Sequence, residues 1–411
     1  MAGTVVGIDV GTTKVCTLVG EVDSESRLHI VGVGVAPSRG LRKGVIVSVD
    51  EAASAISASV QKAERMSGYK IDSAYVGVAG SHIQSLNTRG VIAIGRGDRP
   101  ITQDDVDRAM EAAQAVAVPQ NRQIIHTIPR GFSLDEQEGV RDPIGLMGFR
   151  LEVEAHVVTG ASTSLHNLEN CVQAAGVGIT SLVLQPLASA TAVLRPDERE
   201  MGVVLVDAGG GTVDVAIFIE GSIWHSLVLP VGGNHITNDI AIGLRIPFEL
   251  AEQLKCQHGH ALPEAVDPDE VIEARSFGQG PERIISRQEL ATIIQARSEE
   301  IFEMILREIK RSGYDGLLPA GVVLTGGAAE LAGITEVGQR VLGLPVRIGA
   351  PREIAGLVDA ADAPAYSTAV GMLLWGLSHD AEPEHPRRHD RGPSGDRYQR
   401  FMNWLKEFLP R

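Results

Sequence analysis

The chain has 411 residues, a formal net charge of −15 and only 4% aromatic residues. That length exceeds what one hydrophobic core serves and suits two domains of about 200 residues each. The acidic balance argues against nucleic acid as a partner, because phosphate-backbone affinity needs clustered Lys and Arg. Cys16, Cys171 and Cys256 form no C-x-x-C pair, so neither zinc nor disulfides are indicated and a reducing cytoplasm is the expected compartment.

Val5 opens an apolar strand almost at once, which leaves no room for a signal peptide, and no apolar run reaches the ~20 residues a membrane span needs. Val5–Val19 (VVGIDVGTTKVCTLV) predicts a strand ending near Asp9, a turn of Gly11, Thr12 and Thr13, then Lys14 leading into a second strand. Further strands are expected at Leu28–Ala36, Gly44–Val49 and Ser73–Ala79, with a helix over Glu51–Ser67 that stops at Gly68. Ser81–Thr159 departs from this pattern. A strand pair around Ser85–Ile94, a helix capped by Thr102 with an acidic first turn, and strands near Gln123–Pro129 and Arg150–Val158 read as a small inserted subdomain. A helix near Ser164–Ala175, the strand Ile179–Leu184 and Gln185–Leu194 complete the first half.

Met201–Phe218 (MGVVLVDAGGGTVDVAIF) repeats the opening device, with 198 residues separating Asp9 from Asp207. Gly209, Gly210, Gly211 and Thr212 let the backbone approach a phosphate chain, although alone they would also suit a plain tight turn. A carboxylate beside that anion is tolerable only with a cation between them, which nominates Asp207, and Asp9 by the repeat, for Mg²⁺ held through water. Lys14 adds a cation for the phosphates. Val231–Ile242 carries Gly233, and the helix Pro247–Lys255 places Glu252 and Lys255 on one face, where a surface ion pair is the alternative to a ligand role. Pro263–Arg283 reads as a strand-bearing lobe and Arg287–Arg311 as a long helix. A third turn follows at Gly326, Gly327 and Ala328, before a helical stretch. The chain has no G-x-G-x-x-G and no Gly-Lys pair, which excludes a Rossmann fingerprint and a P-loop.

His379–Asp396 is polar and Pro-bearing and predicts a disordered linker of 18 residues. Arg397–Arg411 (RYQRFMNWLKEFLPR) gathers Phe401, Trp404, Leu405, Phe408 and Leu409 in an apolar arc of about 160°, backed by cations. Such a helix is too short to span and suits an interfacial site on anionic membrane lipid, with docking on protein as the alternative. A single tail binds weakly, so firm attachment needs many tails on one assembly.

The three glycine turns and the two linking helices at Leu184–Leu194 and Ala365–Leu377 resemble the actin, Hsp70 and sugar-kinase superfamily over nearly the whole chain. SHIQSLNTRGVIAI, LEVEAHVVTG, PVGGNHITNDIA, VLTGGAAEL, VRIGAP, AYSTAVG and the terminal helix are similar, within it, to the FtsA family of bacterial cell-division proteins. The resemblance implies an α/β, actin-like (ribonuclease H-like) two-lobed ATPase fold with an inserted small subdomain and a C-terminal amphipathic helix. It divides the chain into a first lobe (1–80 and 161–194), an insert of the FtsA 1C type (81–160), a second lobe (195–364, 2A and 2B), a return helix (365–378), the linker (379–396) and the membrane helix (397–411).

The same resemblance implies ATP and Mg²⁺ as cofactors, with Glu252 and Lys255 flanking adenine and ribose. Gln185 would orient an attacking water; a glutamine is no strong base, so hydrolysis should be slow. It also implies filaments on the cytoplasmic face of the inner membrane at the septum, tethering of the FtsZ ring, and recruitment of later divisome proteins through the insert. The FtsZ C-terminal peptide would meet Arg283 and Arg297. A small-molecule kinase or stand-alone ATPase of the same fold is the rival reading.

Overall fold

The computed structural model describes residues 4–23, 27–95, 99–115, 118–275, 282–352, 354–357 and 361–379. The expected linker beyond His379 and the terminal helix with Phe401, Trp404, Leu405, Phe408 and Leu409 lie outside the described residues.

Two sheets repeat one plan. In the first, Leu28–Pro37, Lys14–Val22, Thr4–Val10, Ser73–Val78 and Gly178–Leu184 lie side by side, with Ile354–Gly356 added beyond Leu28–Pro37. The second runs Ser222–Leu229, Val213–Ile219, Val203–Ala208, Val322–Thr325 and Val346–Ile348. Counted from the first-named strand, the pairings in both are antiparallel, antiparallel, parallel, parallel. The strands that open each half are buried along almost their whole length, as Val- and Ile-rich runs covered on both faces must be.

Two helices fill the space between the sheets. Gln185–Val193 and Ser367–His379 lie so close that a Cβ on Gly371 would overlap the Ala188 backbone, and Ser189 Oγ meets Thr368 Oγ1 at 2.9 Å. One continuous core joins Ile8, Leu18 and Val76 of the first sheet to Leu187 and Leu373 of these helices and to Leu205 and Phe218 of the second sheet. A separate core occupies the outer side of the second lobe, where the helix Arg287–Ser312 contributes Leu290, Ile294, Ile301, Ile305 and Ile309 at helical spacing.

The insert has its own sheet, in the order Gln84–Ala93, Arg150–Ala161, Arg122–Leu134 and Gln137–Val140, and its own core of Val106, Met110, Phe132, Leu151 and Val153. The strand pair expected around Ser85–Ile94 is one strand. Gly90 within it admits the helix Gln103–Gln114, because a Cβ there would overlap Ala109 O. The strand expected over Gly44–Val49 shrinks to Val45–Ile46, since Gly44 turns at φ +73° against Gly80 and the next helix already starts at Val49.

Candidate functional site

Each half presents a hairpin whose tip faces the other. In the first, Val10 pairs with Val15 and Gly11 N–H donates to Lys14 O at 3.1 Å, leaving Thr12 and Thr13 at the tip. In the second, Ala208 pairs with Val213 and Gly209 N–H donates to Thr212 O at 2.9 Å, leaving Gly210 and Gly211. The two tips touch. A Cβ on Gly210 would overlap Thr13 Oγ1, and one on Gly211 would stand 2.7 Å from Thr12 Cγ2. Gly210 and Gly211 therefore have a steric cause in the facing threonines as well as the conformational one read from sequence.

Asp9 and Asp207 occupy matching places, each one residue before the last strand residue of its hairpin, and both are buried. Gln185 Nε2 donates to Asp9 Oδ1 at 2.9 Å. Asp207 Oδ2 accepts from Ser189 Oγ at 2.5 Å and Thr368 Oγ1 at 3.0 Å, so both linking helices orient it. Burial, and then repulsion from Asp207, push the Asp9 carboxyl up to about 7, against a lowering by Lys14. Burial raises Asp207 as well. Asp214, directly across the hairpin from Asp207, is pushed well above the ordinary range by burial and by both other aspartates; its Oδ1 is buried with no hydrogen-bond partner.

Gly326 of the third turn sits at φ +85° with its Cα so near Asp207 Oδ1 that a Cβ would overlap it, which admits only glycine. The turn continues as a single 3-10 turn, Gly327–Glu330, and the expected helix begins only at Ile334. On its far side Lys255 Nζ lies 2.7 Å from Glu252 Oε2, 2.9 Å from Thr237 Oγ1 and 3.4 Å from Gly233 O. A Cβ on Gly233 would stand 3.6 Å from that ammonium and 3.7 Å from Ala328 Cβ. The Glu252–Lys255 pair thus exists, but it is half-buried at the helix Gly233–Leu244 and the third turn instead of standing on open surface. A cavity of about 20 Å³ beneath Gly233 and Ala328, lined by Ile236, Phe302 and Leu324, has room for one water-sized group and none for a base.

The residues fit a magnesium ion shared with a phosphate chain. Two buried carboxylates, both raised by burial and Asp9 further raised by Asp207, are relieved by a cation, and among the described residues no three His, Cys, Asp or Glu side chains form a complete metal cage. Mg²⁺ typically takes one or two carboxylates and draws its other ligands from phosphate and water.

Arg283 and Arg297, the FtsZ-peptide candidates, lie on a strand and a helix of the second lobe. Arg297 binds Asp239 through Nε at 2.5 Å and Nη2 at 3.1 Å, and also pairs with Glu300. Arg283 lies on the strand Glu282–Ser286 opposite Ala274, and its side chain is outside the described set.

Sequence reasoning passed over Ser189, Asp214, Thr237, Tyr366 and Thr368. Ser189 had a local signal, four residues after Gln185 on one helix face, and Asp214 had its place opposite Asp207 in the hairpin.

Two lobes of one plan, hinged on two packed helices and facing each other through glycine hairpins, define an actin-like protein. Its fold is shared by the PilM–PilN type IV pilus biogenesis complex (TM-score 0.65, 15% identity, 92% of this chain and 99% of that one). MreB5 of Spiroplasma citri bound to ADP (0.54, 15%, 91% and 95%) and the MamK double helical filament (0.53, 13%, 92% and 99%) share it too. Residues 204–371 match the family model of Cell division protein FtsA, and residues 80–159 match the SHS2 domain inserted in FTSA. The chain belongs to the FtsA family of cell-division proteins. Cell division protein FtsA of Pseudomonas aeruginosa is 45% identical over 378 residues, 92% of this chain and 90% of that one. That of Escherichia coli strain K12 is 38% identical across 98% of both chains.

Proposed function

We propose that this protein binds ATP with Mg²⁺ between its two hairpins, assembles into filaments on the inner membrane and tethers the FtsZ ring there. The observation that carries the reading is the meeting of Asp9, Asp207, Lys14 and Gln185 with three glycine turns in one cleft. Backbone amides of Thr12, Thr13, Gly210 and Gly211 at the two tips would receive the phosphates, Lys14 would neutralise them, and Asp9 and Asp207 would hold the metal through water. Gly233, Glu252, Lys255, Gly326, Gly327 and Ala328 would border the nucleoside. The metal supplies charge neutralisation of the phosphate chain.

Gln185 is the candidate to orient a water. It already donates to Asp9, and an amide cannot accept the proton that hydrolysis releases, so turnover is slow and ATP acts chiefly as a ligand of assembly. Structural relatives solved with ADP and as a filament support nucleotide binding and self-association by analogy of fold. No helix among the described residues is long and apolar enough to cross a membrane, so the tether falls to the amphipathic segment 397–411. The insert, with its own core, is the surface offered to later divisome proteins.

The reading is tested by liposome co-sedimentation of full-length chain and a chain ending at Leu377, each with Mg-ATP and FtsZ. Full-length protein should carry FtsZ into the pellet and the truncated chain should not. Equal pelleting of FtsZ by both contradicts the tether.

A further inference from the structure

The cleft holds one contact that no ligand role yet explains. Lys14 Nζ stands 3.5 Å from the centroid of the Tyr366 ring. Among the described residues no carboxylate lies within ion-pair distance of that ammonium, although its field lowers both Asp9 and Asp207. Tyr366 comes from the segment that returns from the second lobe, one residue before the helix Ser367–His379. That segment is anchored on the third turn: Gly326 N–H donates to Pro364 O at 3.2 Å and Ala365 N–H to Glu330 Oε1 at 3.4 Å. A ring fixed beside the third turn thus bears on the cation of the first hairpin, across the cleft.

We infer that Tyr366 is the positioning residue for Lys14, holding its ammonium in the cleft ready for the phosphates. This rests on the reading of the cleft as an ATP site. A π face attracts the ammonium without occupying it in an ion pair, so N–H donors turned away from the ring stay available to phosphate oxygens. A lysine locked on Asp9 or Asp207 would have to break an ion pair before it could serve. The ring also restricts a long, flexible stem that would otherwise be ordered at the expense of binding. Tyr366 touches no reacting atom; it acts through Lys14.

The test is calorimetric titration of Mg-ATP into full-length wild type, Tyr366→Leu, Tyr366→Phe, Lys14→Met and the double variant Lys14→Met/Tyr366→Leu. Tyr366→Leu keeps apolar volume and loses the π face, and should raise the ATP Kd about three- to tenfold. Tyr366→Phe keeps the face and should stay within about twofold of wild type. In the Lys14→Met background, Tyr366→Leu should change nothing further, a result that a merely structural role would not give. Should Tyr366→Leu fail to fold, Tyr366→Met carries the same comparison. Wild type that binds ATP while Tyr366→Leu binds equally well, or a penalty that persists without Lys14, overturns the positioning role alone. Wild type that binds no ATP overturns the reading of the cleft and this role with it.

Discussion

His156 of the insert is hydrogen-bonded to Ser226 of the second lobe, Nε2 to Oγ at 2.9 Å, while its Nδ1 meets Asn87 Oδ1 at 2.7 Å. Asn87 uses its Nδ2 on Trp224 O and Tyr314 Oη, so its oxygen must face the histidine. The imidazole therefore donates from Nδ1 and accepts the Ser226 hydroxyl at Nε2. Ser85 Oγ donates to Ser226 O nearby, and Arg130 stacks on Trp224. The insert is thus bolted to the second lobe by a polar seam, although it branches from the first.

That seam has a pH signature. Burial, with His225 and Arg130 nearby, depresses His156 to about 3. An unfolded histidine titrates near 6.5, so between those values only the unfolded chain takes the proton, and the stability the neutral ring contributes is lost as pH falls. The slope is about 1.4 kcal/mol per pH unit for one group. Asp9, raised to about 7, contributes with the opposite sign, so the comparison must be with a variant. Urea unfolding between pH 4 and 6.5 should show His156→Gln with a stability less dependent on acid than wild type; parallel pH curves would remove His156 from the account.

The hairpin tips make a size-exchange prediction. Gly210→Ala drives a methyl into Thr13 Oγ1 and should cost about 1–3 kcal/mol of stability or an equivalent loss of ATP affinity. Thr13→Ala removes that oxygen and should recover much of the loss in the double variant. Thermal melts and ATP titrations read both; additive damage would mean that the tips do not meet.

Asp9 predicts proton release. With its carboxyl near 7, much of it is protonated at pH 6.5, and a cation placed between Asp9 and Asp207 would expel the proton. Calorimetry of Mg-ATP binding at pH 6.5 in buffers of different ionisation heat should give buffer-dependent heats in wild type and smaller dependence in Asp9→Asn. Identical heats in all buffers would place the metal elsewhere.

An FtsZ peptide docked at Arg297, as the family resemblance implies, would have to displace Asp239 from that guanidinium. Asp239→Asn should tighten binding of an FtsZ C-terminal peptide a few-fold, and Arg297→Glu should weaken it about tenfold or more, both effects shrinking in high salt. Fluorescence anisotropy with the labelled peptide decides; no response to either change moves the site away from Arg297.

What could be read from the chain and what could not follows from distance along it. The hairpins at Asp9 and Asp207 were legible because strand, aspartate and glycine turn are local features with a local cause. Their repetition foretold two lobes of one plan. The single strand over Ser85–Ile94 was not legible, because the helix whose Ala109 needs the space at Gly90 lies further along the chain. Thr368 reaches Asp207 across 161 positions, and His156 reaches Ser226 across 70, and nothing in either segment alone announces the partner. Tyr366 falls inside the expected linking helix Ala365–Leu377, with no sign of a role of its own; only folding sets its ring against Lys14.

The proposed grip of the facing hairpins on a metal-bound triphosphate depends on Asp207. Equilibrium titration of Mg-ATP into wild type and Asp207→Ala tests it most directly, with circular dichroism confirming that both are folded. Wild type should bind and Asp207→Ala should bind at least about a hundredfold more weakly. Equal affinity in the two proteins would contradict the account.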